Sequence, residues 1–131
     1  SAAIFGVVAG LPADRFRVLP SMRFAHFSEL MKHAACMAGN SSAGVREAPF
    51  LGLPSLDVGT RQNRRSDAPS IRTAAAQDRA AILEFLAAAW GQSHPRHTGF
   101  GEGRAADRFV SVLRDPGFWA RGLQKEFRDL G

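Results

Sequence analysis

Residues 39–49 have the sequence GNSSAGVREAP, and they come directly after the apolar run ACMA at 35–38. An apolar run, a Gly-Asn turn and a segment of helical character predict the order strand, turn, helix. Ser41 and Ser42 stand at the start of that helix, where backbone N–H groups have no partner within the helix. Such a terminus attracts anions, so the stretch predicts a phosphate site; N-capping is the alternative role for both serines.

Elements of the same kind surround this stretch. Apolar spacing predicts strands at 16–19, 35–38, 55–58 and 70–73, and helices at 2–10, 23–33, 44–51, 77–90, 102–114 and 118–129. The segment 91–103, rich in Gly, His and Ser, is predicted to be a loop. Short strands that alternate with helices indicate a parallel sheet flanked by helices. With so few strands, we expect a small, partial Rossmann-like three-layer α/β domain.

The parallel arrangement also predicts where a ligand binds. In open parallel sheets ligands bind beyond the carboxyl ends of the strands. The loops at 20–23, 39–44 and 59–65 each follow a predicted strand, so we expect them to meet at one crevice. Glu47 is too far from the serines to complete a capping box, and Arg61 follows a Gly-Thr turn at the end of a strand. A guanidinium there can bind a phosphate in a bidentate manner.

Length and composition bound the class of protein. The 131 residues, 45% of them hydrophobic, fit a single domain with its own core. No apolar run is long enough to span a bilayer, and residues 1–5 lack the basic start of a secretory signal, so we expect a cytoplasmic protein without a membrane partner. Cys36 lies in a predicted buried strand, which favours a structural thiol. The four histidines lack the partner spacing of a metal site, so no metal is expected.

The chain is basic, with a net charge of +5 and 15 arginines among its 17 basic residues. This charge allows a small nucleic-acid-binding module as an alternative function, using Arg61, Arg64, Arg65 and Arg72. RNA-binding modules normally offer exposed stacking aromatics, and tyrosine is absent here. The phenylalanines with helical spacing are predicted to face the core; they are Phe24, Phe27, Phe85 and Phe109. We therefore expect no nucleic-acid partner.

Several motifs together carry a resemblance to a known family. PSMRF at 20–24, LMKHA at 30–34, GNSSAGVREAP at 39–49, GTRQN at 59–63 and FGEG at 100–103 resemble the hydrolysing UDP-N-acetylglucosamine 2-epimerases of sialic-acid-type sugar synthesis. The resemblance covers most of residues 20–131 and is most specific in 39–62. Two positions depart from the family pattern: Ala25 stands where Glu is usual, and Asp57 where Asn is common.

The resemblance implies a fold and a reaction. The family has two Rossmann-like domains in a glycosyltransferase-B-like arrangement, and this chain resembles the second one, so residues 1–131 are expected to form a single, incomplete C-terminal UDP-binding domain. Family members eliminate UDP to a 2-acetamidoglucal and add water, giving N-acetylmannosamine and UDP, without a cofactor. Their catalytic acids and a key histidine lie in segments that precede this one. We therefore expect an isolated chain without activity, from a parent enzyme that is a homo-oligomer.

The resemblance also assigns roles in binding UDP or a UDP-N-acetylhexosamine. Ser41, Ser42 and Arg61 are expected to contact the diphosphate, and Gly44 to allow close backbone approach. Glu47 is expected to accept hydrogen bonds from the ribose, and the backbone at Met22 to approach the uracil. A degenerate half-domain used for dimerisation or regulation is a further alternative. The choice between UDP and GDP, and the sugar of the parent enzyme, stay open.

Overall fold

The computed structural model describes residues 2–122. Within this range a three-stranded sheet runs in the order β1, β2, β3, with both pairs parallel. The strands are β1 (Met37–Gly39), β2 (Ser55–Val58) and β3 (Ile71–Ala74). The helices are α1 (Ala2–Ala9), α2 (Phe24–Lys32), α3 (Glu47–Phe50), α4 (Arg79–Ala89), α5 (Ala105–Arg114) and α6 (Pro116–Trp119). The predicted α/β class, a partial Rossmann-like domain, is confirmed.

The sheet separates two hydrophobic clusters. Because successive side chains of a strand point to opposite faces, Leu56 of β2 packs toward α4, with Ala74, Phe85 and Ala89. On the opposite face, α2 and α3 are held by a second cluster built on Met31, Ala48 and Leu53. The result is three layers, with α4 on one side of the sheet and the α2–α3 segment on the other. The second side also carries the order strand, turn, helix that begins at β1.

Two sequence predictions about elements are wrong. Residues 16–19 form no strand: they pair with no strand of the sheet, the N–H of Phe16 donates to the carbonyl of Pro12 at 2.9 Å, and Val18 is exposed. A short apolar run becomes a strand only where a neighbouring edge supplies its hydrogen bonds. The helix predicted at 44–51 is divided into a 3₁₀ turn, Ser42–Gly44, and the single-turn helix α3. Pro49 has no N–H to donate to the carbonyl of Val45, so a continuous helix through both residues would lack that hydrogen bond. Proline is tolerated in the first turn of a helix, and Pro49 lies in the first turn of α3, which begins at Glu47.

Two more predictions concerned burial and boundaries. Phe24 and Phe109 were expected to face the core, but 66% and 64% of their surfaces are exposed. Helical spacing shows which residues share a face, not whether another element covers that face. The helix predicted at 118–129 begins at Pro116 and ends at Trp119, so residues 120–122 are not helical; the rest of that prediction, 123–129, lies outside the described residues. None of the helices in residues 2–122 is both long and apolar enough to cross a bilayer.

Candidate functional site

The serine loop, residues 39–46, leaves the carboxyl end of β1 as a capped turn. The side-chain oxygen of Ser41 accepts a hydrogen bond from the backbone N–H of Ala43 at 3.3 Å, and its carbonyl accepts one from Gly44 at 3.1 Å. Ser41 therefore caps the 3₁₀ turn, while both Ser41 and Ser42 remain exposed to solvent. A turn of this length has little helix dipole, so hydroxyls and loop amides are the groups that this loop offers to an anion.

Gly44 brings the serine loop onto the sheet. A Cβ at this position would lie 2.7 Å from the hydroxyl oxygen of Ser55 in β2, which is closer than such atoms pack. Gly44 is itself buried, and the Ser55 side chain beneath it is among the most deeply buried of the described residues. A glycine is therefore needed here for packing, and the loop sits directly on the central strand.

A buried glutamine joins the serine loop to the loop after β2. The amide nitrogen of Gln62 donates to the carbonyl of Asn40 at 2.9 Å, and its oxygen accepts from Nη1 of Arg65 at 3.0 Å. Only 3% of the Gln62 surface is exposed. The two loops thus meet at the carboxyl edge of the sheet, as parallel strands predict. Arg61, the residue before Gln62, is exposed at this edge.

A cavity of about 440 Å³ lies beside the serine loop, between α2, α3 and the segment 97–103. Its apolar walls include three phenylalanines, Phe24, Phe50 and Phe100. The charged or titratable side chains on its walls are Arg46, Glu47 and His97. Pockets of this size and composition, mostly apolar with few polar groups, are the usual form of small-molecule sites.

The segment 94–103 closes one side of this cavity and is held firmly to α3. The backbone N–H of His94 donates to Gly52 at 2.9 Å, and that of His97 donates to Pro49 at 3.0 Å. A Cβ at Gly52 would overlap the carbonyl oxygen of His94, and the φ of Gly52 is +70°. The segment 94–103, predicted to be a loop, is therefore a fixed wall of the site. Its close packing against the end of α3 requires a glycine at position 52.

Two arginines strengthen the same wall. The guanidinium of Arg46 lies 5.3 Å from the ring centre of Phe100, and that of Arg96 lies 4.4 Å from the ring centre of Phe50. Each pair joins the region of α3 to the segment 96–100 by a cation–π contact. Arg46 is the neighbour of Glu47 in the chain. The guanidinium instead lies over Phe100.

Glu47 is the predicted ligand residue that this cavity contains. Its side chain lines the cavity, and its Oε2 is buried with no hydrogen-bond partner among the described residues. A buried carboxylate oxygen without a donor is destabilising, by about 1–3 kcal/mol for such groups in general. A buried polar group without a partner calls for an explanation, and a ligand in the cavity that Glu47 lines would supply the missing donor.

The other predicted ligand residues are not part of the cavity wall. Ser41, Ser42 and Gly44 lie on the serine loop, which leads into Glu47 at the start of α3, and Arg61 lies on the loop that Gln62 connects to the serine loop. Met22 is half-buried just before α2, whose first residue, Phe24, lines the cavity. The cavity wall thus carries one carboxylate, that of Glu47, and the exposed hydroxyls and the Arg61 guanidinium lie on the two loops that Gln62 connects.

Asp57 is a second acid near this edge of the sheet. It is 4% exposed, its Oδ1 has no hydrogen-bond partner within residues 2–122, and burial raises the pKa of its carboxyl above the ordinary 3.8. Between the ordinary and the raised pKa, the folded chain holds a proton that the unfolded chain has released. The free energy of unfolding therefore falls as the pH rises through that window.

Asp57→Asn should raise the melting temperature at pH 7.5, because a neutral amide loses less on burial than a carboxylate. We expect a gain of about 1 kcal/mol, or roughly 4 °C, that disappears as the pH falls below about 4. Thermal melts at several pH values measure this. Asp14→Asn, at an exposed position, is the control and should change little. An equal gain at all pH values would contradict the assignment to the ionised carboxyl.

Other reactive groups offer less. Burial raises the pKa of the half-buried Cys36 thiol, which keeps it protonated, as a structural role requires. In the part of the chain that the structure describes, no three His, Cys, Asp or Glu side chains are placed to hold a metal ion. A second cavity, of about 390 Å³, lies between β3 and α4 on the opposite face of the sheet, with Arg72 and Glu84 on its walls.

Comparison with known proteins agrees with this geometry. A family model described as UDP-N-acetylglucosamine 2-epimerase matches residues 1–114. The chain belongs to the UDP-N-acetylglucosamine 2-epimerase family. It is 39% identical, over 121 residues, to a UDP-N-acetylglucosamine 2-epimerase of Neisseria meningitidis serogroup B; the match covers 90% of this chain and 32% of that protein. The predicted family resemblance is thereby confirmed.

Two further relatives resemble this chain less: one matches a shorter part of it, and the other is less identical. A hydrolyzing GDP/UDP-N,N'-diacetylbacillosamine 2-epimerase of Campylobacter jejuni is 46% identical over 39 residues, 30% of this chain and 10% of that protein. A polysialic acid biosynthesis protein of Escherichia coli is 23% identical over 124 residues, 88% of this chain and 30% of that protein. The chain thus spans about a third of the length of the curated relatives that match most of it.

Three features of the site were not predicted. His97 was assigned only to a loop, and neither the hydrogen bonds of Gln62 between the two loops nor the contact of Arg46 with Phe100 was foreseen. The FGEG motif at 100–103 was the available signal for the third feature. A lone histidine in a polar loop gives no such signal.

Proposed function

We propose that the chain is the UDP-binding part of a hydrolysing UDP-N-acetylglucosamine 2-epimerase, which converts its substrate to N-acetylmannosamine and UDP. The observation that carries the proposal is Glu47, a carboxylate with a buried, unpartnered oxygen on the wall of a mostly apolar cavity. A carboxylate accepts two hydrogen bonds, and the two neighbouring hydroxyls of a ribose donate two. The cavity is large enough for a nucleoside.

The diphosphate would lie outside the cavity, at the edge where the two loops meet. Ser41 and Ser42 present exposed hydroxyls there, and Gly44 allows the serine loop to pack closely against β2. Arg61 offers a guanidinium, which binds phosphate oxygens in pairs. The backbone at Met22, which leads into α2, would approach the uracil. The hydrogen bond from Gln62 to Asn40 fixes the spacing of the two loops, so the phosphate-binding groups of both loops would contact the same diphosphate.

The catalytic groups are proposed to come from the rest of the parent protein. The elimination needs a base to remove the proton at C2 of the sugar while the C1–O bond breaks and UDP leaves with its electron pair; water then adds at C1 of the glucal and a proton returns to C2. The role given to Glu47 is to bind the nucleotide. We therefore expect the isolated chain to bind UDP and to leave UDP-N-acetylglucosamine unchanged.

Calorimetric titration of the 131-residue chain tests this function. UDP should bind at one site per chain, with a dissociation constant below about 1 mM. A titration with GDP measures the preference for the base, and one with single-stranded RNA tests the alternative of a nucleic-acid module, for which binding should weaken steeply with salt. A folded chain that binds RNA but gives no heat with millimolar UDP would contradict the proposal.

A further inference from the structure

His97 stands between two elements of the site. Its Nε2 lies 3.2 Å from Oδ1 of Asp67, which belongs to the same β2–β3 connection as Arg61. Its backbone N–H donates to Pro49 of α3. The side chain is 24% exposed, whereas that of Asp67 is 94% exposed. The ring thus lies beside the β2–β3 connection, which also carries Arg61, while the backbone of His97 is hydrogen-bonded to α3.

The contact with Asp67 decides what the other ring nitrogen can do. A carboxylate only accepts hydrogen bonds, so the carboxylate oxygen beside Nε2 favours the neutral tautomer that carries its proton on Nε2 and has Nδ1 as an acceptor. Nδ1 is buried and has no partner among the described residues. The ring edge cannot turn freely, because Gly99 packs against it so closely that a Cβ there would lie 3.2 Å from Nδ1.

His97 and Glu47 line the same cavity, and each has one buried acceptor atom without a donor. A single ligand that satisfies both acceptors carries at least two donors. The neighbouring 2′- and 3′-hydroxyls of a ribose have this chemistry. A phosphate group, which only accepts hydrogen bonds when ionised, does not.

We propose that His97 is a second ribose-binding residue, with Nδ1 accepting a hydrogen bond from one hydroxyl of the pair that Glu47 binds. The inference rests on the proposed function and adds a residue to it. Asp67 positions the imidazole by holding the proton on Nε2. Because Asp67 and Arg61 lie on one connection, the contact also ties the ribose end of the site to its phosphate end.

The test compares two substitutions and two nucleotides on the 131-residue chain. His97→Gln retains a polar group near Nε2 and removes the acceptor at the position of Nδ1, whereas His97→Asn can place its amide oxygen near that position. His97→Gln should weaken UDP binding about tenfold, as expected for one lost hydrogen bond in a buried site, and His97→Asn should weaken it by less than about threefold. With 2′,3′-dideoxy-UDP, which lacks both hydroxyls, the wild-type chain and His97→Gln should bind equally.

The outcomes separate this inference from the function on which it rests. If His97→Gln binds UDP as tightly as the wild-type chain, or weakens UDP and 2′,3′-dideoxy-UDP by the same factor, His97 has no ribose contact. In either case Glu47→Gln should still weaken UDP binding if the proposed function is right. If the wild-type chain binds no UDP, both proposals are wrong. Circular-dichroism melts of each variant verify that it is folded.

Discussion

Glu47→Gln should remove most of the rise in melting temperature that UDP gives to the chain. UDP at about 100 times its dissociation constant stabilises a folded domain by about 2.7 kcal/mol, or roughly 10 °C at this size. Losing a hydrogen bond to a charged acceptor weakens binding by about 2 kcal/mol. At the same UDP concentration the variant should therefore gain only about 1 kcal/mol. Thermal melts with and without UDP measure the difference.

The free chain should not suffer from this substitution. Glu47 has a buried oxygen without a donor, so a neutral amide of the same shape should leave the melting temperature without UDP unchanged or slightly higher. Glu84→Gln is the matched control, because Glu84 lines the other cavity, between β3 and α4. A full UDP shift in Glu47→Gln, or an equal loss in Glu84→Gln, would contradict the site.

Arg61→Ala should reduce the same shift for a different reason. Its guanidinium is proposed to contact the diphosphate, so the effect should be large with UDP and absent with uridine, which has no phosphate. Arg64→Ala is the control, since it removes an exposed arginine from the same connection and changes the net charge equally. Equal losses in the two variants would indicate a general charge effect rather than a contact made by Arg61.

Gly52→Ala should have the largest effect on stability. The φ of Gly52 is +70°, which strains any other residue, and a Cβ would overlap the backbone carbonyl of His94. That carbonyl belongs to the segment that closes the cavity, so relief of the overlap must move the wall away from α3. We expect a loss of about 3 kcal/mol, or roughly 10 °C in melting temperature, and much weaker UDP binding.

Gly59→Ala separates the overlap from the backbone strain. Gly59 also has a positive φ, +95°, but a Cβ there would meet no atom within 4 Å. It should therefore lose only about 1 kcal/mol. Thermal melts of the two variants give the difference directly. If both substitutions lower the free energy of unfolding by the same amount, the close packing of the segment 94–97 on α3 does not contribute to stability.

The sheet could be predicted from the sequence because its signals are local. Pro54 and Gly59 mark the two ends of β2, and the strand between them was predicted with the bounds that it has. Parallel pairing then requires the following loops to share an edge, which is why the serine loop and the Arg61 loop were expected together. The strand predicted at 16–19 failed for the opposite reason: its pairing depends on a distant neighbour that a local pattern does not show.

The wall of the cavity could not be predicted in the same way. His97 contacts Asp67 and Pro49, which are remote in sequence, and its ring has no distinguishing neighbours in the chain. Burial of Gln62 likewise depends on the loop of Asn40 folding over it. Phe24 shows the limit of helical spacing, because its face is apolar in sequence and yet lines an open cavity. Such features follow from tertiary contacts, which the sequence pattern does not contain.

A crystal structure of the chain with UDP tests the central claim most directly. We expect the ribose hydroxyls against Glu47 in the cavity formed by α2, α3 and residues 97–103, with the diphosphate beside Ser41, Ser42 and Arg61. UDP bound between β3 and α4, or bound anywhere with Glu47 still lacking a donor, would contradict it.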